Sequence, residues 1–161
     1  TQYADEDHAF VVWSRTINSG DVQLQRVDGV GGEYRKMAFT GCSGLGSEFL
    51  GRPRVSSPAA GNPAFRIELH EGPPAASTIL VVSWYELYLP LGSGVLVPDI
   101  TRAVGFATFI DFDGYAAVEA PIPAQIAGAT LWAQWLTIPA GWEECGDFGV
   151  DFSEAVEIEI E

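Results

Sequence analysis

The stretch GATLWAQWLTIP, residues 128–139, decides the fold, because its pattern indicates a β-strand that must be covered on both sides. Side chains of a strand alternate between two faces. Both faces are mostly apolar here, with Trp132, Gln134 and Leu136 on one and Leu131, Ala133 and Trp135 on the other. We expect one face to pack on an opposing sheet. We expect the second cover to be a local hairpin or another chain, and the apolar segment AFVVWSRT, residues 9–16, is the natural cover, from the same chain or from a neighbouring one.

The two-residue period recurs on both sides of this stretch. In AFRIELH, residues 64–70, the apolar side chains share one face, which predicts a half-buried antiparallel strand. The segments DVQLQRV (21–27), VGFATFI (104–110) and AVEIEIE (155–161) alternate in the same way. TILVVSW (78–84) is apolar throughout and predicts a central strand covered on both sides, whereas PAQIAGA (123–129) predicts at most a single helical turn.

Turn residues separate these segments, since the chain holds 18 Gly and 10 Pro. Short strands at intervals of about ten residues are typical of sandwiches and jelly rolls. We therefore predict an all-β fold, a two-sheet antiparallel β-sandwich of jelly-roll type. Residues 41–161 are expected to form the sandwich. Residues 1–40 are expected to form a hairpin and a strand that pack on it or swap into a neighbour.

The charge of the chain is strongly negative and unevenly distributed. The net charge is −14, and residues 103–161 hold 11 of the 22 acidic residues without any Lys or Arg. Such a field repels the phosphates of nucleic acids, so we expect no nucleic-acid partner. No apolar run approaches the roughly 18 residues of a membrane span, so we expect no membrane insertion. Because the chain begins at Thr1, we expect it to be processed from a longer protein.

Cys42 and Cys145 are the two cysteines of the chain. Their spacing fits neither a zinc site nor a redox motif. They could form one disulfide or remain as two buried thiols. A disulfide would tie the beginning of the second segment to the loop before the last strand.

Several stretches of residues 39–161 follow one another in a recognisable order, namely FTGCSG, GRPRVSSPAAGNPAFRIEL, DFDGYAAVEAPIP, IAGATLWAQW and VDFSEAVEIEI. This order resembles a β-sandwich module found at the C-termini of large secreted bacterial proteins, especially of planctomycetes and myxobacteria. The resemblance implies secretion, an extracellular or cell-surface location and an accessory role, with no catalytic residues. An extracellular location in turn implies an oxidising compartment, which favours the Cys42–Cys145 disulfide. Upstream, residues 9–32 resemble one hairpin of a β-propeller blade.

The acidic loop WEECGDFGVD, residues 142–151, is the candidate metal site. Its four carboxylates are hard oxygen ligands of the kind that Ca²⁺ prefers, and its glycines give the backbone freedom. The alternative is a solvated acidic loop. The predicted ligands are Glu143, Glu144, Asp147 and Asp151.

Two aromatic clusters are the candidate carbohydrate site. Sugar-binding sandwiches stack pyranose rings on exposed Trp and Tyr, but Trp in a sandwich more often fills the core. The predicted sugar-binding residues are Trp84, Tyr85, Tyr88 and Trp142.

The N-terminal segment is the candidate for self-association. It is apolar and β-branched, and an added strand gains a row of backbone hydrogen bonds on a host sheet. Made head to tail without closure, the same contact gives a filament. The predicted self-association residues are Phe10, Val11, Val12 and Trp13.

Neither His8 nor His70 lies in a recognisable catalytic motif, so we expect no enzyme. The sequence favours a non-catalytic extracellular structural module that forms homo-oligomers, a fibre or a surface layer. A module that binds polysaccharide is the alternative. No cofactor is expected beyond the possible Ca²⁺.

Overall fold

The computed structural model describes residues 3–5, 8–17, 20–27, 33–37, 40–41, 51–91, 94–138 and 149–161, with side chains from Tyr34 onward. The described residues form an all-β protein with antiparallel pairing throughout, which confirms the predicted fold class at that level. The strands are β1 (Tyr3–Asp5), β2 (His8–Ile17), β3 (Gly20–Val27), β4 (Glu33–Met37), β5 (Arg52–Val55), β6 (Arg66–His70), β7 (Ser77–Ser83), β8 (Glu86–Leu91), β9 (Gly94–Pro98), β10 (Val104–Phe109), β11 (Ala116–Glu119), β12 (Thr130–Ile138), β13 (Asp151–Phe152) and β14 (Ala155–Glu159). A 3-10 turn at Ala124–Ile126 matches the predicted helical turn.

The central sheet has the strand order β10-β7-β12-β14-β4, with β13 paired to the end of β12. Its inner strands are β7, β12 and β14, and the first two carry the stretches that the sequence predicts to be covered on both sides. The register of β7 and β12 pairs Leu80 with Trp135 and Val82 with Ala133, so these side chains lie on the same face. The prediction that residues 78–84 form a central strand is therefore confirmed.

The small sheet, with the order β11-β6-β5, covers one face of the central sheet. The predicted inward residues of β6 and its approach, Phe65, Ile67 and Leu69, are all buried in the common core. Across the gap they meet the central sheet, whose fully buried side chains include Trp135 and Ile158. Two antiparallel layers thus share one hydrophobic core.

The β8–β9 hairpin covers the opposite face of β12, and this corrects the sequence-based expectation that residues 9–16 would do so. Strand β9 contacts β12, β13 and β14. Gln134, which is fully buried, accepts a hydrogen bond from the Val97 N–H at 3.0 Å. Its amide nitrogen donates to the carbonyls of Val95 at 3.1 Å and Ser153 at 2.9 Å. Gln134, the polar residue of the stretch 128–139, therefore holds the β8–β9 hairpin against β12.

The N-terminal sheet consists of β1, β2 and β3. Strand β2 pairs with β3 from Phe10 opposite Val27 to Ile17 opposite Gly20, and with β1 over its first three residues. Strand β4, which belongs to the predicted N-terminal extension, pairs with β14 at one edge of the central sheet. Residues 1–40 thus contribute a hairpin and also an edge strand of the central sheet.

Candidate binding surface and inter-sheet groove

Strand β10 forms one edge of the central sheet and exposes a row of apolar side chains. It pairs with β7 along all six residues, and among the described strands it has no neighbour on its other side. On the face toward the core, Val104 is 58% exposed and Phe106 36%, and on the outer face Phe109 is 73% exposed. The sequence predicted this strand correctly and placed Val104, Phe106 and Thr108 on one face. The structure leaves that face only partly covered, because the small sheet ends at β11.

An apolar groove of about 250 Å³ lies where the two sheets separate beside β10. Its buried lining includes Phe65 and Ile67 from the small sheet, and Leu80 and Leu131 from the central sheet. Its exposed lining includes Trp84, Arg102, Val104 and Phe106. The groove therefore has a buried apolar floor and an exposed rim on which one cation lies.

Arg102 is held in position by two contacts, and its guanidinium makes no hydrogen bond with the part of the chain that the structure describes. Its guanidinium carbon lies 4.7 Å from the centre of the Tyr85 ring, a cation–π arrangement. Its Nε lies 3.8 Å from Asp99 Oδ2, which is longer than a hydrogen bond. The other carboxylate oxygen of Asp99 accepts from the Thr101 N–H and hydroxyl. Bonding to the Thr101 hydroxyl, the leading cause, lowers the pKa of Asp99.

Three of the four predicted sugar-binding residues lie on the surface. Trp84 is 46% exposed, Tyr85 51% and Tyr88 46%. They are not equivalent, because Trp84 lines the groove and one face of Tyr85 is occupied by Arg102. Partial burial, followed by a hydrogen bond to Glu86, raises the pKa of Tyr88. Trp142, the fourth residue, lies outside the described residues.

A cluster of ionisable side chains around Glu68 on the small sheet lies away from the groove lining. Glu68 is hydrogen-bonded to His70 Nε2 at 2.9 Å, forms an ion pair with Arg66 at 2.6 Å and accepts a hydrogen bond from the Tyr115 hydroxyl at 3.3 Å. The His70 and Tyr115 rings meet edge to face at 5.2 Å. Burial raises the pKa of Glu68, but these hydrogen bonds and the Arg66 charge outweigh it, and the net shift is downward. The cluster stabilises the outer face of β6.

Several predicted sites fall outside the described residues. The described residues do not include the two cysteines of the predicted disulfide, Cys42 and Cys145. They also do not include three of the predicted Ca²⁺ ligands, Glu143, Glu144 and Asp147. The fourth, Asp151, is buried at the beginning of β13. Across the described part of the chain, no group of three or more His, Cys, Asp or Glu is placed to hold a metal ion. For the predicted self-association residues Phe10, Val11, Val12 and Trp13, the structure gives the backbone pairing in β2 alone.

No protein-family model, curated protein or solved structure matches this chain. The resemblance of residues 39–161 to a secreted bacterial module therefore stays a prediction. Within the described ranges, no helix is long and apolar enough to cross a lipid bilayer.

Sequence reasoning did not identify the groove or Arg102. The groove is built from segments that are distant in sequence, at Phe65, Leu80, Val104 and Leu131, and the gap between two sheets has no local signature. Arg102 did carry a signal, because it is the last basic residue before an entirely acidic stretch.

Proposed function

We propose that this chain is a non-catalytic extracellular structural module, a β-sandwich of jelly-roll type, that self-associates by β-strand addition along β10. The observation that carries the proposal is the apolar edge of β10, which has no partner on its outer side among the described strands. An edge strand presents unpaired N–H and C=O groups and is a template for another strand. Folded proteins usually block such edges with charges, prolines or bulges, and β10 has none of these.

The opposite edge of the same sheet supports this interpretation by contrast. Strand β4 carries Arg35 and Lys36 in consecutive positions. Arg35 pairs with Glu157 on the neighbouring strand. Lys36 lies on the core-facing side, in register with the buried Val156, and burial is the leading cause that lowers its pKa. A partly buried lysine opposes the docking of another strand. Of the two edges, β10 is therefore the one suited to pairing.

A second copy of the chain is the simplest donor of the added strand. Two β10 strands can pair antiparallel about a two-fold axis perpendicular to the sheet, which gives an isologous dimer. Because the core-facing side must continue across the axis, Phe106 can lie opposite Phe106 of the second copy. Aromatic cross-strand pairs of this kind stabilise a sheet by about 0.2–1 kcal/mol. Side chains of the added strand also extend the partly covered face beside Val104.

Lysines placed on β10 test the proposal. The double variant Ala107→Lys/Phe109→Lys changes exposed positions that do not line the groove. We expect the wild-type chain to form dimers or larger species, and this variant to be monomeric, because charged side chains block edge pairing. The readout is the mass by size-exclusion chromatography with light scattering over a concentration series.

The matched control is Leu87→Lys/Ile100→Lys, which introduces the same charge at exposed apolar positions outside β10. It should associate like the wild type. A wild-type chain that is monomeric at the highest concentration, or a β10 variant with the wild-type mass, would overturn the proposal.

Polysaccharide binding is the second candidate function, favoured by the exposed rings of Trp84, Tyr85 and Tyr88. The test is depletion of the protein from solution by insoluble polysaccharides such as cellulose and chitin. Tyr88→Ala is the informative variant, since Tyr88 does not line the groove, and it should lower the fraction bound. Wild-type protein that stays in solution with every polysaccharide excludes this function for those polymers.

A further inference from the structure

The groove between the two sheets has the size of a site for one small apolar group. An apolar cavity of about 150 Å³ is enough to hold benzene. The groove, at about 250 Å³, can hold one aromatic ring with a branched substituent. Its floor consists of buried side chains from both sheets, including Ile67, Leu80 and Leu131, which belong to the common core. A ligand seated there removes apolar surface from water without a rearrangement of the strands.

The charges around the groove select the headgroup of such a ligand. Among the described lining residues no side chain is acidic, and Arg102 is the one cation. Its guanidinium carries five N–H donors in a planar fork that matches a carboxylate. Within the described part of the chain none of these donors makes a hydrogen bond, because Asp99 lies at 3.8 Å and the Tyr85 contact is made through the guanidinium face.

From these observations we infer that the groove binds a small amphiphilic anion, an apolar body of about one substituted ring that bears a single carboxylate. The body fills the space between the sheets, and the carboxylate pairs with Arg102 at the rim. Stacking on the Tyr85 ring and attraction to the Asp99 carboxylate hold the guanidinium in one position. The Arg102 side chain therefore loses less conformational entropy when it pairs with the ligand carboxylate. A sugar does not fit the groove as well, because its hydroxyls would lose their water against the apolar floor.

Three ligands of one shape and different charge test the inference. Para-isopropylbenzoate, para-isopropylbenzamide and para-isopropylbenzamidine share the apolar body and a planar headgroup, and they are negative, neutral and positive. Titration calorimetry with the full chain should give the order benzoate, then amide, then amidine. We expect the benzoate to bind about three- to tenfold more tightly than the amide, the range of a partly exposed charge-assisted pair.

Arg102→Gln separates a specific pair from a general charge effect. In this variant the benzoate should bind no more tightly than the amide, while the affinity for the amide stays the same. Arg52→Gln is the matched control: Arg52 is exposed, lies on the small sheet beside Glu71, and its loss changes the net charge equally. The Arg52→Gln variant should still bind the benzoate more tightly than the amide. Trp84→Ala, at the exposed rim, should lower the affinities for the benzoate and for the amide by the same factor.

The position of the ligand is checked by methyl NMR of the full chain. The benzoate should shift the methyl resonances of Val104, Val118 and Leu131, which line the groove, and not those of Val55, which lies outside the lining. The inference is wrong if none of the ligands binds, if the amidine binds as well as the benzoate, or if the shifts lie elsewhere. An unchanged ratio of benzoate to amide affinity in Arg102→Gln also overturns it. Because β10 contributes Val104 and Phe106 to the groove, the ligand series is repeated with Ala107→Lys/Phe109→Lys, which blocks strand addition and changes no lining residue, so that failure of one test is distinguishable from failure of the other.

Discussion

Thr40 is a buried residue whose side chain and backbone join three strands. Its hydroxyl donates to the Met37 carbonyl at 2.7 Å and accepts from the Ala155 N–H at 2.8 Å. Its own carbonyl accepts from the Val95 N–H at 2.9 Å. One side chain thus connects the end of β4 to the beginning of β14, while its backbone reaches β9. The short sequence around it, FTGC, gave no indication of this role.

Thr40→Val keeps the shape of the side chain and removes the hydroxyl. The Met37 carbonyl and the Ala155 N–H then lose their partner, and an unpaired buried polar group costs about 1–3 kcal/mol. We expect a loss of that size in the free energy of unfolding, measured by urea denaturation. Thr40→Ser keeps both hydrogen bonds and loses a methyl group, which costs about 0.8 kcal/mol. Equal losses in the two variants would contradict the assignment.

Glu68 makes the stability of the small sheet depend on pH. Its folded-state pKa lies below the usual value of 4.5, so its ionised form stabilises the fold. That contribution is fully present above pH 4.5, and it is lost as the pH falls through the lowered pKa. We expect Glu68→Gln to lose about 1–2 kcal/mol at neutral pH.

The difference between wild type and Glu68→Gln should shrink as the pH falls below 4.5, because the wild-type carboxylate is then protonated too. Urea midpoints from neutral pH downward measure it. Glu119→Gln, an exposed carboxylate on β11 of the same sheet, is the control and should show no such narrowing. A difference that is constant across the range would show that the charge of Glu68 is not the cause.

At the scale of the elements, β12 depends on the β8–β9 hairpin for its second cover, and Gln134 makes the connection. Gln134→Leu leaves the Val97 N–H and the carbonyls of Val95 and Ser153 without their partner. We expect a loss of about 3–5 kcal/mol in the free energy of unfolding. Hydrogen exchange should show faster exchange in β9 than in β6, since β6 packs on the other face. An equal increase of the exchange rates in β9 and β6 would mean that Gln134 does not specifically hold the β8–β9 hairpin.

The strands that the sequence predicted best are those whose own hydrophobic pattern shows how many of their faces are buried. The uninterrupted apolar run of β7 requires two covers, and the alternation of β6 and β14 requires one. The sequence also showed that β12 needs a second cover, but it suggested residues 9–16 because they are apolar. The cover is β9, and it is selected by backbone hydrogen bonds to Gln134, which no hydrophobic pattern records.

The alternation of β10 could not show that its apolar face is only partly covered. VGFATFI has the pattern of a half-buried strand, and coverage depends on where a distant strand, β11, ends. The exposed edge and the groove beside it follow from that same difference in extent between the two sheets. The candidate site is therefore a property of sheet packing, which is why single residues did not reveal it.

At the scale of the whole molecule, the position of the N-terminal sheet distinguishes two routes to assembly. Strand β2 is paired with β3 from Phe10 to Ile17 in the same chain, whereas β10 has one described neighbour. Strand exchange through residues 9–16 would have to break the β2–β3 pairing before it gains a new one. Pairing through β10 breaks nothing, so its cost is lower. The uncharged edge of β10 also avoids close contacts between charges in chains of net charge −14.

Deletion of residues 1–17 removes β1 and β2 and separates the two routes. If association runs through β10, the truncated chain should form assemblies with the same number of copies as the full chain, measured by light scattering over the same concentrations. Circular dichroism and a urea midpoint establish that the truncated chain is folded. The full chain with Ala107→Lys/Phe109→Lys completes the comparison, because it keeps β2 and blocks β10. Assembly belongs to the N-terminal segment, and not to β10, if truncation abolishes it while the lysine variant retains it.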